Sequence, residues 1–402
     1  MRKINYIDLF AGCGGISEGL EQSKKFNHVA SVEWDKHCCN TIRNRLATKW
    51  RYNNVQESVI EYDIQETSKI INGIENKKEF FPGLKKLSES KTIDLIIGGP
   101  PCQAYSIAGR IRDKDGMKND YRNYLFESFT KIVSTLKPKI FIIENVPGML
   151  SAKPGDILVT DRIKAAFNEI NYSIPDDFKE CVFDLSQFGI PQKRKRVFIF
   201  GISNKVKNKE IVLTKFYDLI KEKKTKKITT VKEAIGDLGK LLPLNNVDYK
   251  KGKKYSHNFT SKDETNDHIP RFHNKRDIKI FSMLTKDIEK GEMRYTKTSE
   301  LHKLYEKIVG KTSSVHKYYV LRKNDVSNLI PAHLYKDGLR HIHYDSKQAR
   351  SITPREAARL QTFDDNFKFI GPMTEQFKMI GNAVPPKFAL IIAKTLIDLK
   401  IF

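Results

Sequence analysis

The stretch Asp94-Leu-Ile-Ile-Gly-Gly-Pro-Pro-Cys102-Gln-Ala-Tyr-Ser106 decides how this chain is read. It opens as a buried strand, and two glycines followed by two prolines stop that strand abruptly. The prolines fix φ and remove two backbone donors, so the next loop starts from a stiff platform. Cys102 sits on that platform, just past the carboxyl end of the strand, the edge at which open α/β sheets bind ligands. Unpaired cysteines usually pack in cores, within an apolar period. Cys102 instead follows a rigid turn and precedes polar Gln103, which makes it a candidate nucleophile.

Upstream, Ile4 to Phe10 is an apolar run that ends in Ala11-Gly12-Cys13-Gly14-Gly15, and Ile16 to Gln22 reads as a helix. Strand, glycine turn and helix form the first unit of a nucleotide-binding fold. The pattern Gly12-x-Gly14-x-x-Ser17 nearly fits a dinucleotide fingerprint, a weak signal alone. The next strand, His28 to Val32, delivers Glu33, Trp34 and Asp35. An acid here binds ribose hydroxyls, and Trp34 either covers a purine face or packs in the core. Asp63, after the strand-like Val59 to Tyr62, is placed to accept from an adenine amino group.

Downstream, Gly109 to Arg122 is basic and glycine-punctuated, with Arg110, Arg112, Lys114 and Lys118, and reads as a lid over phosphates or a solvated loop. Lys139 to Pro147 repeats the Asp94 geometry, a buried strand delivering Glu144. A carboxylate there is costly unless paired or protonated, and desolvation would raise its pKa and suit it as an acid. Arg194 and Arg196 alternate in Gln192-Lys-Arg-Lys-Arg196, so on a strand both point to one face.

A length of 402 residues allows about two domains. With 39% hydrophobic and 30% charged residues, the chain reads as soluble and globular, without an apolar run long enough to cross a membrane and without a signal peptide. The five cysteines form no CxxC pair and the histidines show no HxxxH or HExxH spacing, so neither a disulfide framework nor a metal site is expected. A reducing cytosol suits a reactive thiol. A net charge of +24 favours a polyanionic partner, nucleic acid first. At Ser203 the sequence turns lysine-rich and the sheet-and-helix rhythm fades. The expected division is therefore 1–202, a smaller domain at 203–349, a hinge-helix region at 350–371 and a returning segment at 372–402. Thr353 caps the hinge helix with Pro354 at its first position, and Lys387 to Leu399 is an apolar helix fit to rejoin the first domain.

Together these pieces resemble the DNA (cytosine-5)-methyltransferases, in the family's order and over most of the chain. The motifs are Asp8 to Gly15 (DLFAGCGG), Glu33-Trp34, Gly99 to Gln103 (GPPCQ), Glu144-Asn145-Val146, Gln192 to Arg196 (QKRKR), Arg350 to Phe363 (RSITPREAARLQTF) and Gly381 to Val384 (GNAV). The resemblance implies an α/β fold: a Rossmann-like, S-adenosylmethionine-binding sheet with helices on both faces, plus a smaller target-recognition domain. It also implies methyl transfer to C5 of a cytosine flipped out of double-stranded DNA, leaving S-adenosylhomocysteine. The family's roles make Cys102 the thiolate that adds to C6 and Glu144 the carboxyl at N3. Arg194 contacts the base carbonyl O2, and Arg196 braces the site. Phe10, Gly12, Gly14, Glu33, Trp34, Asp63, Pro100, Asn382 and Ala383 fall on cofactor positions, and Gln103, Ser106 and Arg110 on the side of the extruded nucleotide. Cys13 fills the variable position of the glycine loop as a small packing residue.

The resemblance further implies a monomeric bacterial modification enzyme in the cytosol, associated with the nucleoid. Its partner would be a restriction endonuclease of the same specificity, unless it is an orphan. The competing readings are a tRNA cytosine-5 methyltransferase, which usually has a shorter variable region, and a catalytically idle DNA-binding regulator. An NAD oxidoreductase is disfavoured by the imperfect fingerprint and the Pro-Pro-Cys loop.

Overall fold

Strands that are apolar on both sides belong in a sheet covered on both faces. The computed structural model describes residues 2–75, 80–101, 125–250, 252–258, 267–312 and 318–402, and such a sheet lies at the centre of its first part. Five strands run parallel: β1 (Ile4–Leu9), β2 (Phe26–Glu33), β3 (Val59–Glu61), β4 (Leu95–Gly98) and β5 (Ile140–Asn145). Three more complete the sheet: β6 (Tyr172–Ser173), β7 (Val182–Asp184) and β8 (Lys195–Ser203). The order is β3-β2-β1-β4-β5-β8-β6, with β7 also paired to β8, and β8 is antiparallel to each of its neighbours. The chain winds outward from β1 to β3 and then returns to β4 on the other side of β1. That reversal opens a crevice at the carboxyl ends of β1 and β4. Asp94 starts β4 fully buried, held by both guanidinium nitrogens of Arg2 at 2.7 Å and by the Asn5 amide at 2.9 Å.

Alternation along β5 and β8 assigns the covering helices to opposite faces. Phe141 stacks on Phe167 of α4 (Val159–Glu169) at 4.0 Å and meets Phe129 of α3 (Leu125–Leu136) edge-on. The neighbouring register pair, Ile142 and Phe200, looks the other way, where Phe200 stacks on Phe216 of α5 (Lys209–Glu222) at 4.2 Å. Helix α1 (Gly15–Gln22) packs against α10 (Pro386–Asp398); a Cβ at Gly19 would strike the Pro386 carbonyl, so the two backbones touch. Helix α2 (Lys36–Thr48) is capped by Asp35, whose carboxylate accepts from the Cys38 amide at 2.9 Å.

The chain divides into two compact units. The first comprises Met1–Gly189, Arg194–Lys226 and Ala383–Phe402, and the second Ile190–Lys193 and Lys227–Asn382. The lysine-rich stretch after Ser203 thus contributes α5 to the first unit: Phe216, Tyr217 and Ile220 supply a buried face that bulk composition hides. The second unit has no large sheet among its described residues. It contains the ribbon β9 (Pro243–Lys250) and β10 (Lys253–His257) and helices α6 (Lys275–Glu289), α7 (Thr298–Val309), α8 (Pro354–Leu360) and α9 (Met373–Asn382). Phe281, Leu284, Leu301 and Leu304 join α6 to α7 in one apolar cluster. Helix α8 carries the expected Thr353 cap, completed to a capping box by Glu356: Thr353 Oγ1 accepts from the Glu356 amide, and the Glu356 carboxylate accepts from the Thr353 amide. One expectation changes. Met373–Asp398 is long and apolar enough to cross a membrane, but it folds as α9 and α10 with a break between them, and most of it is buried in the fold.

Candidate active site

All five parallel strands deliver their carboxyl ends to one edge of the first unit. After β1 the backbone enters the left-handed region at Phe10 (φ 55°), Gly12 (φ 54°) and Gly14 (φ 85°). A Cβ at Gly12 would meet no atom within 4 Å, so beside this loop lies open space rather than packing. Glu33 closes the loop from β2. Its carboxylate accepts from the Gly12 amide at 2.8 Å, the Trp34 amide at 2.9 Å and the Asp35 amide at 3.0 Å. Burial pushes the Glu33 carboxyl up, and these three amides pull it back down. Trp34 is 68% exposed, which decides against the core reading and leaves an aromatic face open next to Glu33. The Tyr62 amide donates to the Glu33 carbonyl, so Asp63 follows directly from the β2 edge, where its Oδ1 accepts from the Gln65 amide. Sequence-predicted Phe10, Gly12, Gly14, Glu33, Trp34 and Asp63 therefore all lie at the ends of β1, β2 and β3.

A second cluster lies across the crevice. Pro100 and Pro101 cover a small apolar cavity of about 10 Å³ lined by Phe126, Ile143 and Val159, so the proline platform rests on the core. Asn145, buried at the end of β5, donates to the Pro100 carbonyl at 3.3 Å and ties the platform to the strand that carries Glu144. Sequence reasoning gave Asn145 no task; an amide following a strand-end carboxylate was the available signal. Glu144 Oε1 pairs with Arg196 Nε at 2.8 Å across the β5–β8 ladder. A Cβ at Gly99 would stand 2.7 Å from Glu144 Oε2, so only a glycine lets the platform pass this close to the carboxylate. Arg194 precedes β8, is 1% exposed, and donates through Nη2 to the Ala383 carbonyl at 2.8 Å. The two arginines thus have different surroundings. Cys102, Gln103, Ser106 and Arg110 lie outside the described residues, and Asn382 is exposed at the end of α9 in the second unit.

Beneath the glycine loop, Asp8 is fully buried. Its Oδ2 accepts from Ser17 Oγ at 2.7 Å while Oδ1 has no partner among the described residues, and burial pushes its pKa up to about 7. Helix α1 begins at Gly14 with no side-chain cap, so Asp8 reaches up from the strand to hold its first turn. Cys13 is 1% exposed with its thiol pushed up by burial, as befits a packing residue and not a thiolate.

Three buried histidines of the second unit are hydrogen-bonding groups. His257 bonds the Gln348 carbonyl, His268 bonds Thr353 Oγ1 and the Gly239 carbonyl, and His273 bonds Ser351. Burial holds His257, His341 and His343 down at about 4 and His273 at about 3.

The chain that builds this edge, with a glycine loop, an acid and an exposed indole on one side of the switch point and a carboxylate–guanidinium pair beside a proline platform on the other, is similar to known proteins. The model of the C-5 cytosine-specific DNA methylases matches residues 4–398. The chain belongs to that family. As a member, it is a DNA (cytosine-5)-methyltransferase. The methylase is 32% identical to the type II methyltransferase M.Bpa9945I of Bacillus paralicheniformis, over 98% of each chain. It is 30% identical to the type II methyltransferase M.DdeI of Desulfomicrobium norvegicum, over 97% of this chain and 88% of the relative. Among solved structures, a prophage protein of E. coli described as a DNA modification methyltransferase matches with a TM-score of 0.66 and 25% identity over 99% of both chains.

Proposed function

We propose that the methylase transfers a methyl group from S-adenosylmethionine to C5 of a cytosine flipped out of a specific duplex DNA sequence, through a covalent bond between Cys102 and C6. The observation that carries this reading is the Glu144–Arg196 pair at 2.8 Å, set against Gly99 one residue before the Pro-Pro-Cys102 platform. A carboxyl at that place can hold N3 of a pyrimidine while a sulfur presented by the adjoining loop attacks C6.

Cytosine C5 is a poor nucleophile until a group adds at C6, and a thiolate both attacks well and leaves well. Cys102 supplies that thiolate. Glu144 hydrogen-bonds or protonates N3 and so drains the electron density that the addition delivers. The surroundings of the two arginines favour exchanging the roles expected from sequence. Arg196, paired with Glu144, faces the base, and Arg194, buried against the Ala383 carbonyl, braces the site. Addition to C6 comes from above the ring, where stacked neighbours lie in a duplex, so the base must leave the stack. Gln103, Ser106 and Arg110 line the side of the extruded nucleotide. Loss of the C5 proton and departure of the Cys102 sulfur then restore the enzyme.

The residues around the β1–β2 edge fit the methyl donor. Gly12 borders open space, Glu33 presents a carboxylate to ribose hydroxyls, and Phe10 with exposed Trp34 brackets an adenine. Gly14 completes the loop, Asp63 takes the adenine amino group, and Pro100, Asn382 and Ala383 complete the site. When bound, S-adenosylmethionine supplies an electrophilic methyl on sulfonium, and S-adenosylhomocysteine is its product. We place the enzyme in a bacterial cytosol as a monomer on nucleoid DNA, paired with a restriction endonuclease of the same specificity.

Tritiated methyl donor with duplex DNA or tRNA tests the substrate, and label on tRNA alone overturns the DNA assignment. A duplex containing 5-fluorocytosine at the target tests the chemistry, because it cannot lose a proton at C5. A stable protein–DNA adduct is expected, and its absence with active enzyme and donor refutes the covalent route.

A further inference from the structure

The second unit holds a β-ribbon that the proposed chemistry does not use. In β9 and β10, Asp248 stands opposite Tyr255, Tyr249 opposite Lys254 and Lys250 opposite Lys253. The sequence there is Tyr249-Lys-Lys-Gly252-Lys-Lys-Tyr255, four lysines in seven residues, and Gly252 has φ +74° with no described atom within 4 Å of a Cβ built on it. Like charges placed directly opposite each other destabilise a ladder, and a two-stranded ribbon is marginal alone. The fold compensates at the ribbon's base. His257 is fully buried with its Nε2 against the Gln348 carbonyl at 2.8 Å, Ser256 Oγ accepts from the His273 amide at 2.9 Å, and the Asn258 amide donates to the Leu242 carbonyl. The far end receives no such help. Lys253 and Lys254 are exposed and have no carboxylate partner among the described residues. Tyr249 is 64% exposed, with the Lys254 ammonium 6.0 Å above its ring. A firmly anchored base and an end that gathers unneutralised cations require an external polyanion to make sense of both.

We propose that Lys253 and Lys254 grip the phosphate backbone of duplex DNA, with the exposed Tyr249 hydroxyl as a further donor. This inference rests on the DNA substrate proposed above. Phosphates are favoured over base edges because lysine is a flexible point charge without the fork that reads a base in two places. Such contacts set orientation and supply salt-dependent affinity, not sequence.

The test is fluorescence anisotropy with the full chain, across a series of KCl concentrations, on one duplex that the wild type methylates and one that it does not. Lys253→Gln/Lys254→Gln is expected to weaken both duplexes alike, on the order of tenfold, and to reduce the slope of log K against log salt by about 2. At saturating DNA, kcat should stay near wild type, which also reports an intact fold. Lys205→Gln/Lys207→Gln removes the same charge from exposed lysines of the first unit and should change the slope by less than half as much. An unchanged slope, an equal effect from that control pair, or a loss confined to the methylated duplex overturns the inference. A wild type that binds and methylates no duplex overturns the DNA assignment itself, a result distinct from an active wild type indifferent to Lys253 and Lys254.

Discussion

Two arginine–glutamate pairs of this methylase, one from each unit, live in opposite surroundings. In the second unit Arg350 grips Glu356 through both terminal nitrogens, at 2.7 and 2.6 Å, with 0% and 1% of the side chains exposed. Gln348 Oε1, the Ser351 carbonyl and the Thr353 amide occupy the remaining bonding sites of the two partners. Burial alone would push the Glu356 carboxyl up, but Arg350 overcomes it and holds the group below the ordinary range. In the first unit Glu144 meets Arg196 through a single oxygen, both side chains keep 12–13% exposure, and Glu144 Oε2 has no hydrogen-bond partner among the described residues. A sealed and saturated pair positions backbone. A pair whose second oxygen has no hydrogen-bond partner among the described residues suits the chemistry proposed for Glu144.

The largest effects should separate the pairs by readout. Cys102→Ser is expected to abolish methyl transfer while DNA binding stays measurable, and a fully active variant would refute the mechanism. Glu144→Gln should lower kcat about 10²–10⁴-fold, the range of a positioned acid, with the urea midpoint almost unmoved. Glu356→Ala should do the reverse in origin: it strands a buried guanidinium, at about 3–5 kcal/mol of stability in urea unfolding. A Glu356→Ala protein as stable as wild type, or a Glu144→Gln protein as unstable as Glu356→Ala, would break the distinction.

Much of this was legible beforehand because strand ends announce themselves. Apolar runs stopped by glycine or proline placed β1, β4 and β5 within a residue or two, and Thr353-Pro354 placed α8 by its capping chemistry. What escaped depends on contacts distant in sequence. Glu144 was expected to be either paired or protonated, but its partner Arg196 lies 52 residues on, and only the β5–β8 register brings them together. The order of roles proposed for Arg194 and Arg196 rests on what each one touches, which alternation does not specify. Trp34 was undecidable between core and surface until its exposure was known. The lysines of 203–227 hid the apolar face of α5, because composition averages over the two sides of a helix.

Buried carboxyls of the first unit and buried histidines of the second should also answer pH in opposite senses. Asp8 and Glu21 are both pushed up to about 7 by burial. The native state therefore keeps protons that the unfolded chain has already released, so this contribution is complete below about pH 4 and is lost as pH rises toward 7. His257, His273, His341 and His343 of the second unit behave conversely: held neutral down to about 4 or below, they contribute fully above about pH 6.5 and lose that contribution as pH falls. Asp8→Asn keeps an acceptor for Ser17 but cannot ionise. Between pH 5 and 8 its stability should decline less than that of wild type, by about 2–4 kcal/mol, leaving the Glu21 share in place. Parallel urea-stability curves for the two proteins would show that Asp8 carries no such burden.

The smallest change repeats the contrast with a single methyl group. A Cβ at Gly19 would meet the Pro386 carbonyl, the Ala389 methyl at 2.5 Å and the Leu390 amide at 2.6 Å, and these backbone and core neighbours cannot yield cheaply. Gly19→Ala should therefore destabilise the protein by about 1–3 kcal/mol, the usual cost of overpacking. At Gly99 the only atom among the described residues closer than 3.7 Å to the new Cβ is Glu144 Oε2, at 2.7 Å, the far end of a flexible side chain that can shift. Gly99→Ala should leave the urea midpoint within about 0.5 kcal/mol of wild type, as a yielding neighbour allows. It should still lower kcat roughly tenfold, because a small misplacement of a catalytic group is costly. Equal loss of stability in the two variants would mean that the platform is packed scaffold after all, and that the open flank of Glu144 is not where the reaction is governed.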